Sequence, residues 1–470
     1  MWRIKEGSRK THCSRKAICT RKTFPATFTA MSLAVKRKLK PVQLAAVIFL
    51  TVSGGPYGLE PLLEQTGAHA ALLLLLLTPL AWDVPTIFTI LELNSMMPVT
   101  GGYYQWVKRA LGLRWAFYEG WWTWLYTFAD LAIYPVLFVQ YLSFFFPEAE
   151  AYKIPVCLLM IWVSGAINIF GIVPVGKTSV VLSVLVLIPF LVLFGWSLVQ
   201  HNGHLIVPAP SFRQSNFSMV SLGLYTVMWN FIGWDNVTTY AEEVAKPVRS
   251  YLVSMLMAFV AVISIYLIAI LISVNAGINP AVLSEEGFPS LGQLMGGRWL
   301  GSIIALGGMA SALGLYSAVL LSVSRIPKVM SDDDLLPSKL QALHPRYKSP
   351  YVSILCCSVV VSFMVLWTFG ELIIIDITLY GAALCLEYVT LIRLRKTAAT
   401  EHRPFRIPLN RFGLTLMALL PFGVYVLALT GAFLNMDKAL KPALFALVIL
   451  CSAEIVWQVV QWWNNRKLAL

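Results

Sequence analysis

Long apolar runs recur along nearly the whole chain, each bounded by charged residues or by clusters of Gly and Pro. Twelve of them are long enough to cross the hydrocarbon of a bilayer as helices. They fall at roughly 41–65, 69–97, 115–146, 154–173, 178–200, 217–241, 251–274, 299–323, 351–369, 372–392, 412–433 and 442–463. The run 115–146 exceeds one straight crossing and implies tilt or an interfacial extension.

Two of these spans carry interruptions that a purely structural helix would avoid. In the first, Ser53, Gly54, Gly55, Pro56, Tyr57 and Gly58 stand within an otherwise apolar run. Such a stretch should unwind, because Gly adds backbone freedom and Pro removes a donor. Freed backbone groups are tolerated at membrane depth only where they line a cavity or meet a ligand. The second interruption lies in the sixth span, around Phe231, Ile232, Gly233, Trp234 and Asp235. Gly54 is the fourteenth residue of a span starting near 41, and Gly233 the seventeenth of one starting near 217. Breaks at matching depth in spans one and six predict two repeats of five helices with a substrate site between them at mid-membrane.

Acids also enter the apolar runs: Glu60, Glu64, Asp83, Glu92, Glu119, Asp130, Asp235, Glu242, Glu243, Asp376, Glu387 and Glu454. No Lys or Arg accompanies them inside the proposed spans, and an ionisable group there is a functional candidate by default. Each must therefore be protonated, water-facing, bound to backbone donors or paired with a cation from outside. The last option favours a cationic substrate or a transported proton. Asp130 and Asp235 lie deepest, and Asp235 adjoins a break. Glu60 follows the first break toward the outside, where it can receive an incoming cation. Glu92, Glu242 and Glu243 lie near inner ends, solvated or paired with Lys246, Arg249 or the inner loops. Asp83, Asp376, Glu387 and Glu454 read as structural. Tyr57, Trp229 and Trp234 flank the breaks, with Tyr134 and Tyr316 at inward depths. An ammonium over such a ring gains about 0.5–2 kcal/mol.

Composition agrees with a bilayer as solvent. Of 470 residues, 58% are apolar and 13% charged, against about 25% charged in a soluble domain. The formal charge of +13 would suit a nucleic-acid partner, but its distribution points elsewhere. With the N-terminus in the cytoplasm, 31 of the 36 Lys and Arg fall on the cytoplasmic side and none inside a span. That asymmetry predicts cytoplasmic termini and no nucleic-acid role, with attraction to anionic lipid as a by-product. The first thirty residues, with eight Lys or Arg and one acid, read as a dispensable leader or organelle-targeting segment, or as sequence upstream of a start at Met31. Five of the seven cysteines lie in apolar runs, and no CxxC or Cys/His cluster suggests a metal or a disulfide framework. No HExxH, nucleophile elbow or cluster among the six histidines argues for an enzyme.

Several motifs together resemble the amino acid–polyamine–organocation superfamily, most closely its polyamine:cation symporter branch. They are SGGPYG followed by Glu60, ELNSMMPVTGGYYQW, AIYP at Ala132–Pro135, WDNVTTYAEEVAKPVRS, LYGAALCLEYVTLIRLR at Leu379–Arg395 and HRPFRIP at His402–Pro408. The resemblance covers the chain after about residue 36. It implies an all-α integral membrane protein with twelve transmembrane helices, two inverted five-helix repeats and two C-terminal helices. The corresponding regions are a basic segment 1–40, a first repeat 41–200, a second repeat 201–393, and added helices with a tail at 394–470. It also implies alternating access, coupling to H+ with Na+ as the alternative, and substrate contacts at Ser53, Gly54, Gly55, Tyr57, Trp229, Trp234 and Asp235. Asp130 falls where that branch also has an acid. The eighth span departs from the pattern, having Val319 near the place of an expected acid.

The expected protein imports a polyamine or cationic amino acid across a plasma or bacterial inner membrane, without a metal or organic cofactor. Asp130 and Asp235 would hold ammonium groups, while Glu60, Asp235 and Tyr316 would couple or gate. The rivals are a neutral amino acid permease or exchanger on the same scaffold, and a transport-inactive sensor.

Overall fold

The computed structural model describes residues 38–469 apart from 214 and 435; the basic leader read in the sequence lies outside them. Described residues form helices and two isolated bridges, Leu39 with Val244 and Thr100 with Tyr240, without an extended strand. The first expected span is α1 (Pro41–Val52), an irregular stretch, and the start of α2 (Pro61–Thr78). Gly67, at φ +73°, bends α2, which then runs through a π turn at Pro79–Asp83 into α3 (Val84–Met96). A short α4 (Gly102–Leu111) precedes α5 (Leu113–Leu142), α6 (Lys153–Ile169), α7 (Ile172–Gln200) and α8 (Phe217–Trp229). After a second irregular stretch come α9 (Pro247–Ala276), the short α10 (Pro280–Glu286) and α11 (Phe288–Gly296), and α12 (Arg298–Val323). The remainder comprises α13 (Arg325–Asp332), α14 (Tyr351–Met364), α15 (Phe369–Thr397), α16 (Arg411–Leu434) and α17 (Met436–Ala469).

Eight helical segments among the described residues are long and apolar enough to cross a membrane, and α1, α6, α8 and α14 are shorter apolar helices. Together they coincide with the twelve runs read from the sequence. The outward faces explain the solvent they require. On α7, Val181, Val184, Leu185, Ile188, Leu191 and Val192 are all exposed, at the spacing of one helical face. A water-soluble surface does not present such a stripe over several turns, whereas lipid accepts it. The result is an integral membrane protein.

Polar groups are turned inward and paired across long sequence separations. Glu92 takes the second of its two expected states: it is buried and clamped by Arg395, whose Nε and Nη2 lie 2.5 Å from its two carboxylate oxygens. Arg403 approaches to 3.3 Å, and the Ile407 amide donates at 2.9 Å. Both arginines lie outside the proposed spans, Arg395 at the end of α15 and Arg403 in the connection after it. Burial lowers the pKa of Arg403, and the neighbouring Glu92 carboxylate opposes that shift. Likewise Glu243 pairs with Arg325 at 2.7 Å, and that guanidinium covers the Tyr240 ring. Glu242 accepts from Thr100, and Glu454 pairs with Arg114.

Two tryptophans fasten α5 to α17. Trp121 donates to Ser452, and Trp122 donates to the Leu450 carbonyl. Trp457 packs on Phe117 across the same contact. Trp162, Trp196, Trp462 and Trp463 are exposed.

Removing one partner of a buried ion pair leaves an uncompensated charge and costs about 3–5 kcal/mol. Glu92→Gln should therefore lower the melting temperature of the purified protein in detergent markedly. An unchanged transition would show that the clamp contributes nothing to stability.

Candidate functional site

Both interruptions are real, and they meet. Between α1 and α2 the chain is unwound from Ser53 to Glu60, and after α8 it is unwound through Asn230–Asp235 before short turns at Asn236–Thr239 and Ala241–Glu243. Two glycines make the approach possible. Gly58, at φ +101°, lies so close to the Trp229 ring that a Cβ would collide with it. Gly233, at φ +94°, faces the Thr51 carbonyl at the end of α1, where a Cβ would sit 3.1 Å from that oxygen. Both conformations are ones that L side chains rarely adopt.

The freed backbone groups are largely satisfied across the gap. Asn230 donates through Nδ2 to the Gly58 carbonyl at 3.3 Å, and Tyr266 of α9 donates to the Asn230 carbonyl at 2.6 Å. Ser53 Oγ accepts from the Gly55 amide at 3.1 Å, and the Gly233 amide donates to the Tyr380 hydroxyl at 3.3 Å. One hydrogen bond across the gap, bonds to α9 and α15, and a local side-chain bond thus stand in for part of the helical ladder each break has lost.

Side chains from α5 and α15 complete the surroundings. On α5, Glu119, Thr123, Tyr126, Asp130 and Tyr134 recur every three or four residues, which places them on one face. Tyr134 donates to Asp130 at 2.5 Å. Trp229 also interacts with that carboxylate, and its ring lies 6.4 Å from Tyr134. Asp376 of α15 is within electrostatic reach of Asp130. Asp235 accepts from Tyr380 at 2.9 Å, and the Tyr380 ring meets Tyr126 edge-on at 5.3 Å. Tyr126 in turn donates to Asn236 at 3.2 Å.

The expected site residues divide into those facing this centre and those turned from it. Ser53, Gly54, Gly55, Asp130, Trp229 and Asp235 lie on or beside the breaks, and those with side chains are at most 5% exposed. Tyr57 is buried too, but its hydroxyl donates to the Ile304 carbonyl at 2.8 Å and its ring packs on Tyr141, Phe190 and Phe288. Trp234 gives its indole N–H to Asp83 at 3.0 Å and rests on Phe259, so its described contacts are with α9 and the π turn. Glu60 accepts from Tyr141 at 2.7 Å and from the Gly58 amide, tying the first break to α5. Tyr316 lies against Ser358 and Cys357 of α14. Among the described residues no group of His, Cys, Asp or Glu could hold a metal ion.

Tyr126, Asn230, Asn236, Tyr266 and Tyr380 were missed by sequence reasoning. A signal existed for two of them: Tyr126 is part of the polar stripe on α5, and Tyr380 stands one turn after Asp376 and two before Glu387. Asn230, Asn236 and Tyr266 carry no such periodic mark.

The family model described as amino acid permease matches residues 39–452. A protein of Arabidopsis thaliana named a probable polyamine transporter is 32% identical over 407 residues, covering 84% of this chain and 82% of that protein. A polyamine transporter from the same plant is 30% identical over 429 residues, covering 90% of this chain and 86% of its own length. A serine/threonine exchanger of Bacillus subtilis is 22% identical over 372 residues, covering 75% and 79%.

A methyl group at residue 58 would demand both a strained backbone and displacement of Trp229. Gly58→Ala should destabilise the protein by about 1–3 kcal/mol and shift its tryptophan emission. Wild-type stability and fluorescence in that variant would contradict the close approach of the two breaks.

Proposed function

The chain belongs to the amino acid permease family of the amino acid–polyamine–organocation superfamily, and from that premise we propose that it is a secondary carrier importing polyamines or cationic amino acids by alternating access. Membership makes it a transporter rather than an enzyme. The observation that carries the substrate class is the charge balance around the breaks. Glu60, Asp130, Asp235 and Asp376 are buried there, and no Lys or Arg among the described residues forms an ion pair with any of them. A cation from solution supplies the missing charge, and Trp229, Tyr134 and Tyr380 supply ring faces for it.

In this reading Asp130 and Asp235 hold ammonium groups, while Ser53, Gly54 and Gly55 contribute main-chain polar groups. Trp229 closes over the bound cation. Tyr57, Trp234 and Tyr316 act less directly, through packing that holds the breaks in place. Protons are the coupled ion, carried on Asp235 or Glu60 as access alternates, with sodium the alternative to be tested. Residues 41–200 and 201–393 are the inverted repeats, each opening with a broken helix, and 394–470 adds two crossings. Twelve crossings with cytoplasmic termini follow from the distribution of Lys and Arg. The membrane is a plasma or bacterial inner membrane.

One observation favours a second reading, a carrier of neutral amino acids. Val319 is buried in the eighth span, where the polyamine branch tends to have an acid. An amino acid carboxylate would then meet free amides of the first break.

Proteoliposomes loaded with buffer and given an inward proton gradient should accumulate labelled spermidine or putrescine, and a sodium gradient should not substitute. In competition, unlabelled polyamines or arginine should suppress uptake and leucine should not; the reverse order would establish the second reading. Asp130→Asn should reduce polyamine uptake to background at an unchanged amount of protein in the membrane. Normal uptake by that variant would remove Asp130 from the mechanism.

A further inference from the structure

The polar faces of α5 and α15 carry acids at equal intervals. Glu119 and Asp130 are eleven residues apart on α5, and Asp376 and Glu387 are eleven apart on α15. The two helices pack against each other. Asp130 lies within electrostatic reach of Asp376, and Glu119 within reach of Glu387. The acids therefore form two tiers, each with one member from either helix. Eleven residues at 1.5 Å rise separate the tiers by about 16 Å along the helix.

Asp235 belongs with the second tier, since it interacts electrostatically with both Glu119 and Glu387. Tyr103 stands within reach of all three. Tyr126 is within reach of both Asp235 and Asp376, and so stands between the tiers.

The second tier differs from an ordinary buried acid cluster in what it lacks. Glu119 is 0% exposed and Glu387 1%, yet neither oxygen of either carboxyl has a hydrogen-bond partner among the described residues. Thr390, one turn from Glu387, has a buried hydroxyl that is also unpartnered there. Buried polar atoms are almost always paired, and a carboxylate left alone in a protein interior is costly. Four orphaned acceptor atoms beside a third carboxylate describe a place for a group that is purely a donor. An ammonium, with three N–H donors and no acceptor, has that chemistry.

We propose that Glu119 and Glu387, with Asp235, form a distal ammonium subsite that selects long polyamines by chain length. This rests on the carrier reading above and adds which substrate the site prefers. One terminal ammonium lies at Asp130 and Asp376. The methylene chain passes the rings of Tyr126 and Tyr380, an inner nitrogen meets Asp235, and the far terminus reaches Glu119 and Glu387. A separation of about 16 Å matches an extended tetraamine such as spermine. It exceeds the reach of putrescine, which engages the first tier without the last.

Uptake kinetics in proteoliposomes test this with wild type, Glu119→Gln and Glu387→Gln, using spermine and putrescine as paired substrates. Each glutamine removes an unpartnered buried carboxyl without changing side-chain size, and putrescine uptake reports that the variant is folded and inserted. The KM for spermine relative to that for putrescine should rise at least about tenfold in either variant, the loss expected for one charged contact. An unchanged ratio in both variants overturns the subsite. If gradient-driven accumulation of both substrates falls while spermine exchange without a gradient keeps its wild-type KM, the two glutamates are a proton relay and the proposal is wrong. A wild-type protein that carries no polyamine defeats the carrier reading itself, whereas polyamine transport with an unchanged ratio defeats the distal subsite alone. Should either variant fail to insert, the other decides the outcome.

Discussion

Main-chain polar groups cannot be left unpaired in hydrocarbon, at several kcal/mol each, and this molecule interrupts two of its helices in the middle of that environment. Each interruption is tolerated because its polar groups find partners, some in the other break and some on neighbouring helices. The Gly58 carbonyl receives Asn230, Gly233 lies against the Thr51 carbonyl, and Tyr266 and Tyr380 reach in from neighbouring helices. The centre of the protein is thus a pair of unwound segments that hold each other open, walled by helices that remain intact.

The same constraint explains the unusual charge distribution. Basic residues sit at helix ends and inner connections, and where they enter the protein, as at Arg395, Arg403 and Arg325, they are matched to Glu92 and Glu243. Among the described residues, acids deeper in the bundle accept from tyrosine, tryptophan or backbone donors, or have no hydrogen-bond partner. One side of the molecule is locked by internal ion pairs, and its middle is left short of positive charge.

Legibility in the sequence followed the range of the interaction. Ser53–Gly58 announces itself because three glycines and a proline within six residues have no other reading in an apolar helix. The second break was fainter, with one glycine, and gained weight from its matching depth. The polar stripe at Glu119, Thr123, Tyr126, Asp130 and Tyr134 is legible as helical periodicity. Glu92 and Arg395 are 303 residues apart, and no local pattern joins them. Trp234 looked like a ligand-facing ring beside a break, but its indole N–H goes to Asp83 from an element 151 residues earlier.

By itself the sequence determined the solvent, the spans, the places where helices must unwind and the absence of basic residues from the apolar runs. Hydrophobicity, glycine and proline act through the chain's immediate neighbourhood, so one dimension is enough to read them. Only the tertiary structure decided which acids share a depth, which tryptophan faces the centre and which arginine neutralises which glutamate. Those outcomes depend on the packing of helices hundreds of residues apart, and a side chain's partner is set by that packing rather than by its neighbours along the chain.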